Sequence, residues 1–129
     1  MNGGLSSRAC ELLLRSTFAD RQFFVGLALG APKDEVADRN YVRQEVLLGT
    51  PEDDTESRLR FVSNTNTVRF GPWSVDSPTA VSWWLFSDSA RTREPILATE
   101  QLMRTRVVMA GDELVFRPGE LRIGFRYST

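Results

Sequence analysis

The residue types that usually carry enzyme chemistry are sparse in this sequence. It contains no histidine, which removes the commonest general base, the usual partner of a nucleophilic serine or cysteine, and the commonest metal ligand. The single cysteine, Cys10, falls on the apolar side of a predicted helix with no histidine to activate it, so we interpret it as a buried thiol. The sequence nominates no catalytic residue, and we predict that the protein is not an enzyme.

Two acidic pairs, Asp53 with Asp54 and Glu113 with Glu120, are the remaining candidates for acid–base chemistry. A glycosidase holds two carboxylates on either side of the scissile bond, but acids in turn-rich segments are much more often solvated charges. The acidic segment 52–56 also lacks the ligand spacing of an EF-hand calcium loop. We therefore interpret segment 52–56 as a solvated loop and expect neither a metal nor a cofactor.

Length and charge limit the class of protein. With 129 residues, of which 41% are hydrophobic, the chain suits one compact domain, and we predict a single domain over residues 1–129. The formal net charge is -1, so no global field attracts nucleic acid or an anionic membrane, and we expect neither as a partner. No segment has the apolar length of about 20 residues that spans a bilayer, which indicates synthesis and retention in a cytoplasm.

The N-terminal segment has a helical pattern. Ser6 or Ser7 can cap a helix in which Leu12 and Leu13 lie on the repeating apolar positions. We predict one short N-terminal α-helix over about residues 6–19.

From residue 23 onward the pattern is that of short strands separated by glycine, proline and small polar residues. About seven to nine strands at this spacing are typical of a sandwich. We therefore predict a mainly β fold, an antiparallel β-sandwich of jelly-roll or Ig-like type with the one N-terminal helix. The expected strands include residues 23–29, 42–48, 80–86, 96–102, 114–116 and 121–125, whereas residues 59–70 form either a hairpin or a strand that continues through a bulge.

Trp83 and Trp84 are adjacent in the most apolar strand candidate. Successive side chains of a strand point to opposite faces of the sheet. We therefore expect one of these indoles in the core, and the other either covered by a loop or exposed for a partner.

Several short segments follow one another in a recognisable order. Residues 41–44 read Tyr-Val-Arg-Gln, residues 63–65 read Ser-Asn-Thr, residues 85–88 read Leu-Phe-Ser-Asp, and a Gly-Asp turn at 111–112 precedes alternating apolar residues at 114–123. In this order the chain resembles a family of small bacteriophage virion proteins that are often labelled tail-fibre or head-decoration proteins. The resemblance covers nearly the whole chain and rests on residues that set the fold.

The chain departs from the family by having charged loops at residues 33–39 and 51–58 in place of glycine-rich ones. The resemblance implies a non-enzymatic virion structural protein, made in the host cytoplasm, that forms a homo-oligomer, with a trimer as one option. Its implied partners are other phage structural proteins, either the major capsid protein or tail and neck proteins.

Within that class, the main prediction is a capsid decoration or cement protein, because a lone small domain has no shaft repeat or coiled coil from which to build a long fibre. The alternative is a tail, neck or baseplate structural protein, such as a tail-fibre-type adaptor or host-contact module. A further alternative is a carbohydrate-binding module that uses an exposed tryptophan. The residues predicted to lie at an interface are Tyr41, Arg43, Trp73 and Trp84.

Overall fold

The computed structural model describes residues 4–29, 34–76, 82–87, 89, 97–101 and 109–128, with the backbone alone for 97–101. Within these residues the chain forms one helix and nine strands, and five strand pairs, β1–β6, β3–β4, β4–β9, β5–β8 and β6–β7, are antiparallel. The predicted mainly β fold with antiparallel sheets and one short N-terminal helix is confirmed. The elements are α1 Ser7–Thr17, β1 Gln22–Ala28, β2 Gln44–Leu47, β3 Glu52–Asp54, β4 Leu59–Ser63, β5 Val68–Phe70, β6 Ser82–Phe86, β7 Leu97–Gln101, β8 Leu114–Phe116 and β9 Arg122–Arg126.

The chain divides into two compact units, and each is built from separate stretches of sequence. The first unit comprises Met1–Gln22, Leu47–Asn66 and Arg117–Thr129, and the second comprises Phe23–Val46 and Thr67–Phe116. Neither unit is one continuous segment of sequence.

Helix α1 of the first unit begins where the sequence predicts a cap. The Ser6 hydroxyl accepts a hydrogen bond from the Ala9 N–H at 3.1 Å, which satisfies one of the free donors of the first turn. The helix ends two residues earlier than expected, because the Ala19 N–H donates to the Leu14 carbonyl at 2.8 Å, five residues back in place of four, and Asp20 takes a positive φ of 54°. Cys10, on the face that packs against the sheet, is fully buried, as expected.

A three-stranded sheet of order β3-β4-β9 completes the first unit, and α1 packs against β4 and β9. The interpretation of segment 52–56 as a loop is wrong for its first three residues, since Glu52–Asp54 forms edge strand β3. A tight turn makes this pairing possible, because the Asp54 carboxylate accepts hydrogen bonds from the Ser57 N–H and hydroxyl. An edge strand needs little burial, so its charges can remain in water.

Asn64, from the Ser-Asn-Thr segment, is buried in the first unit and organises the chain around it. Its side-chain amide donates to the carbonyls of Asn66 at 2.7 Å and Arg117 at 3.0 Å, while its oxygen accepts from the Leu121 N–H at 2.9 Å. All the polar atoms of this neutral side chain are thereby paired with backbone groups. The segment therefore does set the fold, by joining the end of β4 to the turn before β9.

The second unit contains a four-stranded sheet of order β2-β1-β6-β7 and a separate pair, β5 with β8. The hairpin or bulged continuation expected over residues 59–70 is wrong, because β4 pairs with β3 and β9 whereas β5 pairs with β8. Trp83 is buried and Trp84 is half-buried, as strict alternation predicts for neighbours on opposite faces. Residues 80, 81, 88, 96 and 102 of the predicted segments lie outside the described residues.

Candidate binding surface

A buried group of three polar side chains lies against the four-stranded sheet of the second unit. We call Glu35, Tyr41 and Arg43 the second-unit triad. Arg43 binds Glu35 through two parallel hydrogen bonds of 2.9 Å, from Nε to Oε2 and from Nη2 to Oε1. The side chains of Arg43 and Glu35 are only 1% and 7% exposed, so water screens this pair weakly.

Tyr41 connects this ion pair to strand β1. Its hydroxyl donates to Glu35 Oε2 and accepts the Leu27 N–H at 2.9 Å, and its ring stacks on Phe70 with the centroids 6.0 Å apart. Burial is the main cause that raises the pKa of Tyr41 above its ordinary value, and the hydrogen bond to the Glu35 carboxylate raises it further. The hydroxyl is therefore a neutral donor over the physiological pH range.

Strand β1 accommodates the triad because it has glycine at position 26. A Cβ on Gly26 would lie 2.7 Å from the Phe86 ring and 2.9 Å from the Tyr41 hydroxyl oxygen. The Arg43 guanidinium lies 3.6 Å from the centroid of the same Phe86 ring. The glycine thus allows the charged group to pack directly on the sheet.

The second-unit triad fixes the position of Val42, an exposed apolar residue. Val42 lies between two buried triad members and is itself 62% exposed. Because Glu35 and Arg43 satisfy one another and Tyr41 stays protonated, the triad has the chemistry of a structural support. It holds Val42 outward at a defined position.

An open pocket of about 240 Å³ lies elsewhere in the second unit, and Trp73 forms part of its lining. The backbone around this indole is held by two hydrogen bonds, from the Trp73 N–H to the Asp112 carbonyl at 2.9 Å and from the Gly111 N–H to the Trp73 carbonyl at 2.8 Å. We call this cavity the Trp73 pocket. Its lining residues are Leu29, Val36, Ala37, Asp38, Trp73, Val75 and Asp76.

Two carboxylates give the Trp73 pocket a negative charge. Asp38 accepts hydrogen bonds from the Ser74 hydroxyl at 2.7 Å, from the Ser74 N–H and from the Asn40 N–H. The bond from the Ser74 hydroxyl is the largest of the causes that lower the pKa of Asp38. Asp76 accepts the Ala110 N–H at 2.9 Å through Oδ1. Asp38 is therefore ionised at neutral pH and held in place by its own loop.

Trp84 lies on β6, where its backbone is in register with Gly26 of β1. Its indole N–H donates to the Ser82 hydroxyl at 2.8 Å, so its polar edge is satisfied within the strand. The half-buried ring retains some exposed apolar surface.

The first unit has a different exposed surface, an apolar stripe along α1. Leu12 and Leu13 are exposed on the helix, and Leu5 is exposed just before it. At about 100° per residue Leu12 lies opposite the buried Cys10 and Leu14, while Leu13 lies to one side of the buried face. We call Leu5, Leu12 and Leu13 the leucine stripe. Exposed apolar stripes of this kind are typical of protein contacts.

The first unit also has a tyrosine–carboxylate–arginine group, at its surface. The Tyr127 hydroxyl donates to Asp53 Oδ1 at 2.8 Å, and Arg60 Nε lies 4.0 Å from Asp53 Oδ2. We call these residues the first-unit triad. The hydrogen bond to Asp53 is the main cause that raises the pKa of Tyr127.

Of the residues predicted to lie at an interface, the structure brings Tyr41 and Arg43 together and places Trp73 and Trp84 at separate positions. Tyr41, Arg43 and Trp73 are buried within the chain, so an interface role for them stays a prediction. Sequence reasoning missed Glu35, the acid that joins the first two. It also missed Asp38, although the sequence offers an indication there: an aspartate two residues before Asn40 fits an Asx turn.

Among the described residues, no group of three or more Cys, Asp or Glu side chains is arranged to hold a metal ion. None of the described helices has the length and apolar character needed to cross a membrane.

A mainly β chain with an exposed leucine stripe and an apolar pocket has the features of a protein that acts through contacts with other macromolecules. A protein-family comparison specifies the class further: the family described as "Podophage GP4 fiber I protein gp80" matches residues 9–124. The match covers most of the chain, so this protein belongs to the podophage fiber I family and is a phage structural protein. No curated protein and no solved structure matches the chain.

Proposed function

We propose that this protein is a non-enzymatic component of the podophage tail, where it connects a fibre to neighbouring virion proteins. The observation that carries the proposal is the family match over residues 9–124, whose description names a fibre protein. The exposed leucine stripe and the Trp73 pocket support it, because a connecting protein needs contact surfaces.

The family match favours the tail alternative over the capsid-decoration prediction. The capsid prediction rests on the small size of a domain without a shaft repeat. Size limits what one chain can build, but it does not determine where on the particle the chain is attached. A small domain serves equally well as the adaptor at the base of a fibre.

The predicted homo-oligomer is part of the proposal, and the leucine stripe is its proposed contact. Leu12 is 51% exposed although it lies mid-helix, so association through α1 would remove this apolar surface from water. Changing Leu12 and Leu13 together to serine should shift the chain toward monomer in sedimentation velocity. Met109→Ser, at an exposed residue of the second unit, is the control and should leave the distribution unchanged.

The four predicted interface residues enter the proposal in different roles. Tyr41 and Arg43 position the exposed Val42, Trp73 is buried beneath the Trp73 pocket, and the half-buried Trp84 contributes apolar surface to contacts with partner proteins. The single-domain prediction is also kept, because neither compact unit is a continuous segment that could fold as a separate module.

Tryptophan-mediated glycan binding has less support. Such binding stacks a sugar on an open aromatic face, but Trp73 is only 4% exposed and Trp84 is half-buried.

Cryo-electron microscopy of the intact particle tests the proposed location. We expect a small number of copies at the tail, at sites where fibres attach. Hundreds of copies at capsid symmetry positions would contradict the tail proposal and restore the decoration prediction. Absence from purified particles would contradict both.

A further inference from the structure

The Trp73 pocket combines apolar walls with two carboxylates, and this combination specifies a type of side chain. We propose that it binds an arginine side chain presented by another protein chain. That the other chain is a neighbouring virion component rests on the proposed function, whereas the pocket and its preference for arginine do not.

The walls of the pocket suit the aliphatic part of arginine. Leu29 and Val75 are exposed apolar residues at its lining, while Val36 and Trp73 are buried beneath it. Arginine commonly lays its methylene groups along apolar surface and keeps the guanidinium in a polar environment. Burial of the stem between Leu29 and Val75 supplies the non-directional part of the affinity.

The two carboxylates suit the guanidinium. Asp38 is held ionised by the Ser74 hydroxyl and by backbone N–H groups. Asp76 uses Oδ1 for the Ala110 N–H, and its Oδ2 has no hydrogen bond to a described residue. Within the described part of the chain, neither carboxylate forms an ion pair. A planar cation with several donors complements this arrangement.

Other ligand classes fit less well. The pocket volume of about 240 Å³ is below the roughly 300–1,000 Å³ typical of small-molecule sites, so it suits one inserted side chain. Phosphate and other anions would be repelled by Asp38 and Asp76. A neutral apolar side chain would fill the walls but leave the charges uncompensated.

Binding can be measured on the isolated full-length chain by ¹H–¹⁵N NMR, with the peptide acetyl-Gly-Arg-Gly-amide as the probe. We expect saturable shifts confined to the backbone amides of the lining segments, at positions 29, 36–38 and 73–76, and to the Trp73 indole N–H. The same peptide with citrulline, the uncharged isostere of arginine, should bind about fivefold more weakly, as expected for loss of one charge partner at a partly exposed site.

Asp76→Asn removes one charge but keeps an oxygen that can accept the Ala110 N–H. This variant should lose most of the preference for arginine over citrulline. Glu113→Gln is the matched control, since it removes the same charge from an exposed ion pair with Arg69 that does not line the pocket. The control should keep the preference.

The proposal is overturned if the arginine peptide causes no saturable shift, or if arginine and citrulline peptides bind equally well to the unmodified chain. An equal loss of preference in Asp76→Asn and Glu113→Gln would also overturn it, because the charge effect would then be general. None of these outcomes depends on where the protein lies in the particle. Failure of the pocket and failure of the tail proposal are therefore separate results.

Discussion

Each of the two tyrosines of this chain belongs to a group that also contains a carboxylate and an arginine. One group is buried, and the other lies at the surface. In the second-unit triad, Tyr41 donates to a buried Glu35 that is also bound by two nitrogens of Arg43. In the first-unit triad, Tyr127 donates to Asp53 near the surface, and the arginine approaches only to 4.0 Å. The same combination of tyrosine, carboxylate and arginine therefore supports packing in one unit and lies at the surface of the other.

The two tyrosines have raised pKa values for different reasons, which reflect their environments. Burial is the main cause that raises the pKa of Tyr41, whereas for Tyr127 the main cause is the hydrogen bond to Asp53. A charge that is removed from water must be compensated by its partners, but a charge at the surface is compensated by solvent. Breaking the buried triad should consequently cost far more than breaking the exposed one.

The largest expected effect is from Arg43→Met, which leaves the buried Glu35 carboxylate without its cation. We expect the free energy of unfolding to fall by about 3–5 kcal/mol. The equivalent change in the other triad, Arg60→Met, should cost about 1–2 kcal/mol, because Arg60 and Asp53 are partly hydrated, their nearest polar atoms are 4.0 Å apart, and the close bond lost is from Arg60 Nε to the neutral Ser7 hydroxyl. Urea denaturation of both variants measures the contrast, and equal losses would contradict it.

A double-mutant cycle sharpens this result. Glu35→Gln keeps an acceptor for the Tyr41 hydroxyl but removes the charge that Arg43 compensates. Combined with Arg43→Met, it should cost less than the sum of the two single changes, with a coupling energy of about 0.5–3 kcal/mol. Additive losses would show that the guanidinium acts mainly by packing on Phe86.

The next effect in size is the loss of one hydroxyl from each triad. Tyr41→Phe removes the acceptor of the Leu27 N–H and the donor to Glu35, and we expect it to lower the free energy of unfolding by about 1–3 kcal/mol. Tyr127→Phe should leave stability unchanged, since water can replace the hydroxyl at Asp53. The measurement is again urea denaturation, and a larger loss in Tyr127→Phe would reverse the comparison.

The smallest effect is spectroscopic and concerns the tyrosine pKa values. In a titration followed by tyrosinate absorbance, Tyr127 should ionise above the ordinary value of about 10, while Tyr41 should remain protonated as long as the chain is folded. Tyr127→Phe should remove the first step. A single step for both tyrosines in the folded chain would contradict the assignment.

The same shift predicts how stability depends on pH. Because the pKa of Tyr41 is raised in the folded state, its contribution is complete below the unfolded value of about 10 and is lost as pH rises toward the folded value. Stability should therefore fall more steeply above pH 10 in the unmodified chain than in Tyr41→Phe.

The local features of this protein can be predicted from its sequence. Strand β8 at Leu114–Phe116, the cap at Ser6 and the opposite faces of Trp83 and Trp84 follow from alternation, helical spacing and capping chemistry, all of which act within a few residues. The family likewise follows from short segments, such as Ser-Asn-Thr, whose asparagine pairs with backbone groups.

Which of these elements pair with one another depends on packing across the whole fold. The pairing of β4 with β9 and of β5 with β8, the burial of Glu35 beneath Arg43, and the approach of Val75 to Leu29 at one pocket all join residues that local patterns do not connect. Such partners are selected by the burial of apolar surface and the pairing of buried polar groups across the whole chain. Alternation predicts that a side chain is buried, but the residues against which it packs are selected by the whole fold.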